Sequence, residues 1–328
     1  MLRLIFLGLL AGAFFSSTFV LNELMSGAGG HWFWSASLRY VFMFLMLSVF
    51  IALRYGMSRL TELTQIFIEH WRFWCVTGGV GFGLFYAGIC FAGDHASGWV
   101  VASTFMFTVV ASLFVLYAFG QRFSKQIIVF AMMIFIGVVL VNLSEASHTQ
   151  ASDVNLWHSL IFGALPAFVA AFCYPIGNQL VWQASHNAKN KDNADKRQGG
   201  LQTRIPIIDT NLLNNAFNKI WLMTVGSFPL WLLLGLVYRP SLPSYSQAFN
   251  TFLVALFSGI IATGLFLYAR EHAKSTQEVA GVDATQASEV IFALIGGMIL
   301  LNTPFPSFIG LIGIGLIVTG LVLFSKYA

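Results

Sequence analysis

Long apolar runs separated by short polar connections are the dominant pattern of the chain. A helix needs about 20 apolar residues to cross the hydrocarbon core of a bilayer, which is roughly 30 Å thick. Runs of this length predict ten membrane-spanning helices and hence an all-α membrane protein. The predicted spans lie near 4–25, 32–54, 73–93, 98–119, 126–143, 158–183, 213–237, 250–269, 281–301 and 307–325.

The Lys and Arg residues fall almost entirely on one side of this pattern. They occupy the N-terminus, the connections after even-numbered spans and the C-terminus, whereas only Arg239 lies on the opposite side. Because cytoplasmic loops are enriched in Lys and Arg, we expect both termini and the polar loop 184–211 to be cytoplasmic. The amphipathic segment 57–71 lies on this side as an interfacial helix or an ordinary loop. Arg39 and Lys219 remain inside predicted spans.

The composition agrees with a membrane protein. Of the 328 residues, 57% are hydrophobic and only 9% are charged, whereas a soluble domain carries about a quarter charged residues. The basic residues form no continuous stripe, so nucleic acid is not a predicted partner. The three cysteines lie in apolar stretches without metal-ligand spacing, and we predict neither a metal nor a cofactor. No spacing typical of hydrolases or ATPases occurs, so we do not expect an enzyme.

The two halves of the chain present similar stretches in the same order. Each half has five predicted spans, so the second copy is inverted in the membrane relative to the first, and Arg39 corresponds to Lys219. We therefore predict two five-helix repeats over 1–145 and 146–328, an arrangement typical of alternating-access carriers. The matching stretches are 8–24 with 163–180, 36–47 with 215–226, 83–87 with 264–269, and 134–140 with 316–323.

Several of these stretches also resemble a known family. The polar "STFVLNE" at the end of the first span, the arginine of "SLRY" in the second, and the fourth span with its continuation resemble the drug/metabolite transporter superfamily. The similarity is to its ten-helix EamA-like and multidrug-efflux branch. The resemblance implies a central cavity lined by spans 1–4 and 6–9, with spans 5 and 10 peripheral. Members carry Gly-Glu-Arg after the fourth span, where this chain has Gly120-Gln121-Arg122, so a role of that carboxylate does not transfer.

Ionisable residues inside spans are the first candidates for function. At 1.5 Å per residue, Glu289 lies roughly 12 Å and Lys219 about 10 Å from the cytoplasmic ends of their spans. These depths match, so the two side chains could share a functional ion pair or proton site, or form a purely structural pair. Glu23 and Arg39, with Asn22 beside them, could make the corresponding contact on the outer side. We predict Glu23 and Glu289 as coupling residues, with protons as the coupling ion.

Other polar and aromatic side chains of the spans complete the predicted cavity. Aromatic rings favour planar or cationic ligands, and hydroxyl or amide groups supply hydrogen bonds. These residues are Trp34, Tyr86, Ser103, Thr104, Tyr174, Asn178, Tyr268 and Gln286.

The sequence thus predicts a secondary exporter of small metabolites or amphipathic drugs in a bacterial inner membrane. Its predicted partners are a small-molecule substrate and the lipid bilayer, and the chain acts as a monomer or a homodimer. The alternative is a passive channel or a lipid-handling membrane protein that uses the same cavity.

Overall fold

All regular secondary structure in the described part of the chain is helical. The computed structural model describes residues 2–120, 124–149, 156–189, 205–208, 210–272, 278, 281–282 and 284–327. Short helical turns at Leu156–His158 and Asn211–Asn214 precede two of the long helices. The longer helices are α1 Leu2–Gly27, α2 Trp32–Tyr55, α3 Met57–Glu69, α4 Trp71–Gly93, α5 Gly98–Ala118, α6 Lys125–Thr149, α7 Leu160–Ser185, α8 Ala216–Tyr238, α9 Tyr245–Ala269, α10 Thr285–Leu300 and α11 Phe308–Tyr327.

Nine of these helices are long and apolar enough to cross a membrane, which confirms nine of the predicted spans within the described residues. The ninth predicted span, 281–301, corresponds to α10, which is apolar but shorter. Large apolar side chains are exposed along the outer faces of the helices, for example Leu45 and Val49 of α2 and Leu232 and Leu236 of α8. Lipid contact explains such exposure, because a bilayer does not penalise apolar surface.

The amphipathic segment 57–71 is helical rather than an ordinary loop. Gly56 separates α3 from α2 with a φ of +86°, a conformation that residues with a side chain rarely adopt. The amide of Gly56 still donates to the carbonyl of Ala52, so α2 ends with its last turn hydrogen bonded. Leu63 is the one fully buried side chain of α3, which packs against α2 through that face.

The helix contacts follow the same pattern in both halves of the chain. Helix α1 packs against α9 and α10, and α7 packs in the same way against α4 and α5. Helix α2 packs against α9 and α8 packs against α4, while α2 and α8 also contact each other. Helices α6 and α11 form the most extensive pair of all, at the edge of the bundle. Most contacts therefore join the first five spans to the last five.

Two of these crossings bring helix backbones together through glycine. A Cβ atom on Gly78 of α4 would lie 2.7 Å from the carbonyl carbon of Gly226 in α8, so neither position has room for a side chain. At the α6–α11 crossing, a Cβ on Gly137 would lie 2.7 Å from the carbonyl oxygen of Gly313. Close backbone approach of this kind is how transmembrane helices gain van der Waals contact.

Helices α4 and α9 both contain a widened π turn near the middle of the span. The turns cover Gly79–Leu84 and Ala255–Ala262. A π turn disturbs the regular hydrogen-bond ladder of a helix and is frequently found at functional sites.

Candidate functional site

The guanidinium of Arg39 lies inside the helix bundle, between α4 and α9. The residue is 8% exposed, and its Cζ atom sits 4.1 Å from the centre of the Tyr86 ring. Its Nη2 donates a hydrogen bond of 3.0 Å to the hydroxyl of Ser258. Its Nε is buried without a hydrogen-bond acceptor, and no carboxylate of the described residues forms an ion pair with it. An uncompensated charge within a bundle of apolar helices is costly and is a marker of function.

A layer of phenol and amide groups surrounds this arginine. Tyr86 is fully buried, and its hydroxyl accepts a 3.2 Å hydrogen bond from Nδ2 of Asn22. The neighbouring Tyr40 donates from its hydroxyl to the carbonyl of Phe82, at 3.0 Å. We refer to the set Asn22, Arg39, Tyr40, Tyr86 and Ser258 as the Arg39 cluster. Its members come from α1, α2, α4 and α9, so the packing of four helices determines its geometry.

Glu289 is the second buried ionisable side chain near the centre. It is 8% exposed and lies in the first turn of the helical stretch Ser288–Leu301, directly after the tight turn Thr285–Ala287. A carboxylate in the first turn of a helix interacts favourably with the free amide groups there. No basic side chain of the described residues lies within ion-pair distance of it.

Tyr174 packs against aromatic side chains of α4 and α5. Its ring centre lies 5.1 Å from that of Phe85 and 5.9 Å from that of Phe105. Nevertheless the residue is 37% exposed. One turn later, Asn178 is exposed on the same face of α7. Helix α7 therefore has an accessible polar face next to aromatic side chains of α4 and α5.

The ion pair between Lys219 and Glu289 that the depths suggested is not formed. Lys219 is half-buried on α8 and has contacts of its own. Helix α8 packs against α2 and α4, whereas α10, which carries Glu289, packs against α1 and α5. Equal depth along two helices therefore does not bring their side chains together, because the helices occupy different parts of the bundle.

The contact suggested between Glu23 and Arg39 is also absent. Oε2 of Glu23 instead accepts a 2.6 Å hydrogen bond from the amide of Gly98, the first residue of α5. The carboxylate thus caps a helix N-terminus, where four amide groups lack partners within the helix.

The remaining predicted residues are divided between the centre and the periphery. Ser103 donates to the carbonyl of Trp99 in its own helix, and Thr104 accepts from Asn142. Trp34 and Tyr268 lie away from the Arg39 cluster. The indole of Trp34 donates to the carbonyl of Ser241 in the loop after α8, and Tyr268 stacks on His272 near the end of α9. Gln286, half-buried, belongs to the turn before Glu289.

Tyr40 and Ser258 are central residues that do not belong to the set predicted from the sequence. Tyr40 directly follows the arginine of the "SLRY" motif, and this adjacency was a usable signal. Ser258 is one hydroxyl among many in apolar helices, and nothing in the one-dimensional pattern distinguishes it.

A lateral groove of about 740 Å³ opens between α4, α5 and α7. Its walls are almost entirely apolar. Residues lining it include Phe73, Val76, Phe114, Phe119, Leu180 and Pro206.

The connection between α4 and α5 carries two titratable groups outside the spans. Burial raises the pKa of Asp94 above its ordinary value, while hydrogen bonds from Ser26 and the amide of Trp32 lower it again in part. Burial lowers the pKa of His95, and the nearby charge of Asp94 partly offsets this decrease. The His95 ring centre lies 5.2 Å from that of His158. This connection therefore has a polar cluster with a pH-dependent charge.

A helical bundle with buried ionisable side chains and lipid-compatible outer faces is a multi-pass membrane protein with a polar centre. The profile of the EmrE family, described as "Putative multidrug resistance efflux transporter", matches residues 2–328. The chain belongs to this family, which confirms the resemblance to the drug/metabolite transporter superfamily. The family consists of transporters rather than enzymes.

Two bacterial relatives align along most of the chain. Uncharacterized protein YjlA of Bacillus subtilis (strain 168) is 34% identical over 338 residues, covering 98% of this chain and 94% of its own. An uncharacterized 42.1 kDa protein of Shouchella clausii is 33% identical over 316 residues, with 90% and 74% covered. A crystal structure shares the fold at a TM-score of 0.56 and 16% identity, with 98% of this chain and 96% of that chain covered.

Proposed function

We propose that the protein is a secondary exporter of small metabolites or amphipathic drugs in the inner membrane of a bacterium. The observation that carries this proposal is the presence of two separate buried ionisable side chains, Arg39 and Glu289, in a chain of a transporter family. Ionisable groups within membrane helices typically mark substrate or ion pathways.

The proposed architecture is ten spans arranged as two inverted repeats, 1–145 and 146–328, with cytoplasmic termini. The correspondence of helix contacts between the two halves supports it, as do the π turns in α4 and α9, which are equivalent spans of the two repeats. A single cysteine at position 193, in the loop 184–211, should resist impermeant maleimide in intact cells and react after permeabilisation. Efficient labelling in intact cells would refute the orientation.

Glu289 is the proposed coupling residue, with a proton as the coupling ion. Its carboxylate is buried and has no basic partner within ion-pair distance in the described residues. A carboxylate in this position can exchange a proton when a conformational change exposes it to either side of the membrane. Glu23, the second residue predicted from the sequence for coupling, is not part of this proposal. Its carboxylate accepts from the amide of Gly98, so a structural role is expected and Glu23 serves as the matched control.

Proteoliposomes that contain the pH dye pyranine provide the test, with ethidium as a cationic probe and L-leucine as a zwitterionic one. An exporter should give saturable flux that is stimulated by counter-flow and depends on pH. Glu289→Gln should remove the pH dependence while binding remains measurable, and Glu23→Gln should retain it. A Glu289→Gln protein with wild-type flux and pH profile would contradict the coupling role.

The lateral groove favours one alternative function, the handling of lipids. An apolar groove between α4, α5 and α7 could admit an acyl chain. Scrambling of a fluorescent phospholipid in the same vesicles measures this activity. Lipid scrambling without saturable solute flux would show that the protein handles lipids and would refute the exporter function.

A further inference from the structure

The Arg39 cluster contains one positive charge and no negative one. The side chains that touch the guanidinium are neutral: the ring of Tyr86 at 4.1 Å and the hydroxyl of Ser258 at 3.0 Å. Among the described residues no carboxylate forms an ion pair with it. Removing a single charge from water without a counter-ion costs several kcal/mol, as a general estimate. A solely structural arginine would be expected to have an acidic partner here.

The geometry of the guanidinium also leaves a donor available. Nε and Nη2 lie on the same edge of the planar group, which is one of the edges that bind carboxylates through two parallel hydrogen bonds. Here Nη2 donates to Ser258, and Nε is buried with no acceptor among the residues that the structure describes. A buried donor without a partner is itself unfavourable by about 1–3 kcal/mol. An incoming oxygen atom would satisfy it.

We propose that Arg39 binds a carboxylate of the transported substrate, which is therefore an organic anion or a zwitterion. This inference rests on the proposed transport function. A monoanion matches the cluster better than a doubly charged phosphate, because Arg39 is the one cation in it. One carboxylate oxygen accepts from Nε and the other takes the place of the Ser258 hydroxyl at Nη2, while Tyr86 keeps its position under the guanidinium.

Thermal unfolding of the purified protein in detergent tests this inference without any transport measurement. The probes are L-leucine, L-phenylalanine and L-glutamine, each compared with its N-acetyl form and its amide. The N-acetyl form keeps only the carboxylate and the amide keeps only the ammonium group. We expect at least one free acid to raise the unfolding temperature by several degrees, and its amide to have no effect. If the N-acetyl form also raises the unfolding temperature, an organic anion is sufficient as a ligand; if it does not, the ligand must be a zwitterion.

Variants of Arg39 separate a binding role from a structural one. Arg39→Met should unfold within a few degrees of the wild type without ligand, because it removes an uncompensated charge, and should lose the ligand-induced shift. Arg39→Lys retains the charge but lacks the two-donor edge, so we expect at least a tenfold weaker response. Arg54→Gln, an exposed arginine on the same helix, is the control and should respond as the wild type does.

Three results would overturn the inference. The first is an equal shift with acid and amide, and the second is a shift that survives in Arg39→Met. The third is a rise of the unfolding temperature with ethidium and no rise with any of the carboxylates. That result would refute the carboxylate-binding role of Arg39 and leave the exporter proposal unaffected. Absence of saturable flux in proteoliposomes would refute the exporter proposal separately.

Discussion

The close contact between α4 and α8 makes a graded prediction about three glycines. A Cβ on Gly226 would overlap the backbone carbonyl of Trp74, lying 2.7 Å from its carbon atom, where ordinary contact begins near 3.4 Å. Because the obstacle is backbone, the helices themselves must separate. Overpacking costs about 1–3 kcal/mol, and this rigid case belongs at the upper end. Alanine is more favourable than glycine within a helix by about 1 kcal/mol. Gly226→Ala should therefore lower the free energy of unfolding by about 2 kcal/mol.

Two other glycines serve as matched comparisons. In Gly259→Ala the new Cβ would lie 2.9 Å from Sδ of Met43, a flexible side chain that can rotate away. The expected loss is therefore smaller. A Cβ on Gly315 meets nothing within 4 Å, so Gly315→Ala should be neutral or slightly stabilising. The three variants make the same chemical change in a helix and differ only in the neighbouring atoms.

The unfolding temperatures of the three variants can be compared in detergent, with the loss of the size-exclusion peak after heating as the measure of unfolding. The entropy of unfolding is about 2.1 cal/mol/K per residue, which for 328 residues is about 0.7 kcal/mol/K. Gly226→Ala should therefore unfold roughly 3 °C below the wild type. Gly259→Ala should fall between it and Gly315→Ala. An unfolding temperature for Gly226→Ala equal to that of Gly315→Ala would show that α4 and α8 are not in backbone contact.

Three further predictions concern hydrogen bonds and charge. Tyr40→Phe removes the donor to the carbonyl of Phe82 and should destabilise by about 1–3 kcal/mol in a thermal assay, because that carbonyl is left buried. Ser144→Ala removes the 2.7 Å bond to Ser307 between α6 and α11 and should cost about 1 kcal/mol in the same assay, whereas no change would mean that the pair is not formed. Because burial raises the pKa of Asp94, its ionised form destabilises the fold; Asp94→Asn should be more stable than the wild type at neutral pH. Unfolding measured across pH should show this advantage vanish below about pH 4, where Asp94 is protonated in both folded and unfolded chains.

The apolar pattern predicted the helices well because hydrophobic length is a one-dimensional property. The predicted span 32–54 corresponds to Trp32–Tyr55, and 98–119 corresponds to Gly98–Ala118. The prediction was least accurate at α10, where the helix is shorter than the apolar run and begins with a tight turn over Thr285–Ala287. Hydropathy does not distinguish such a turn from a helix. The substitution at Gln121 and most of the loop 184–211 lie outside the described residues.

The candidate site was predictable in its parts but not in its pairings. Depth along a helix follows from residue number, and Glu289, which this depth places well inside its span, is buried. The direction in which a side chain points around the bundle depends on which helices are neighbours, and one sequence does not contain that information. For this reason equal depth suggested a pair between Lys219 and Glu289, although their helices pack in different parts of the fold.

The π turns connect the Arg39 cluster to both halves of the chain. Two consecutive residues of α2 hydrogen bond to the two π turns. Tyr40 donates to the carbonyl of Phe82 within Gly79–Leu84. Arg39 donates to the hydroxyl of Ser258 within Ala255–Ala262. A substrate carboxylate that takes over Nη2 releases the second bond but not the first. Binding would then remove the hydrogen bond from Arg39 to the widened segment of α9 while the bond from Tyr40 to that of α4 remains, which is an asymmetric change at the contact between the proposed repeats. Alternating access requires such a difference, because a ligand can shift a conformational equilibrium only through contacts that differ between the two states.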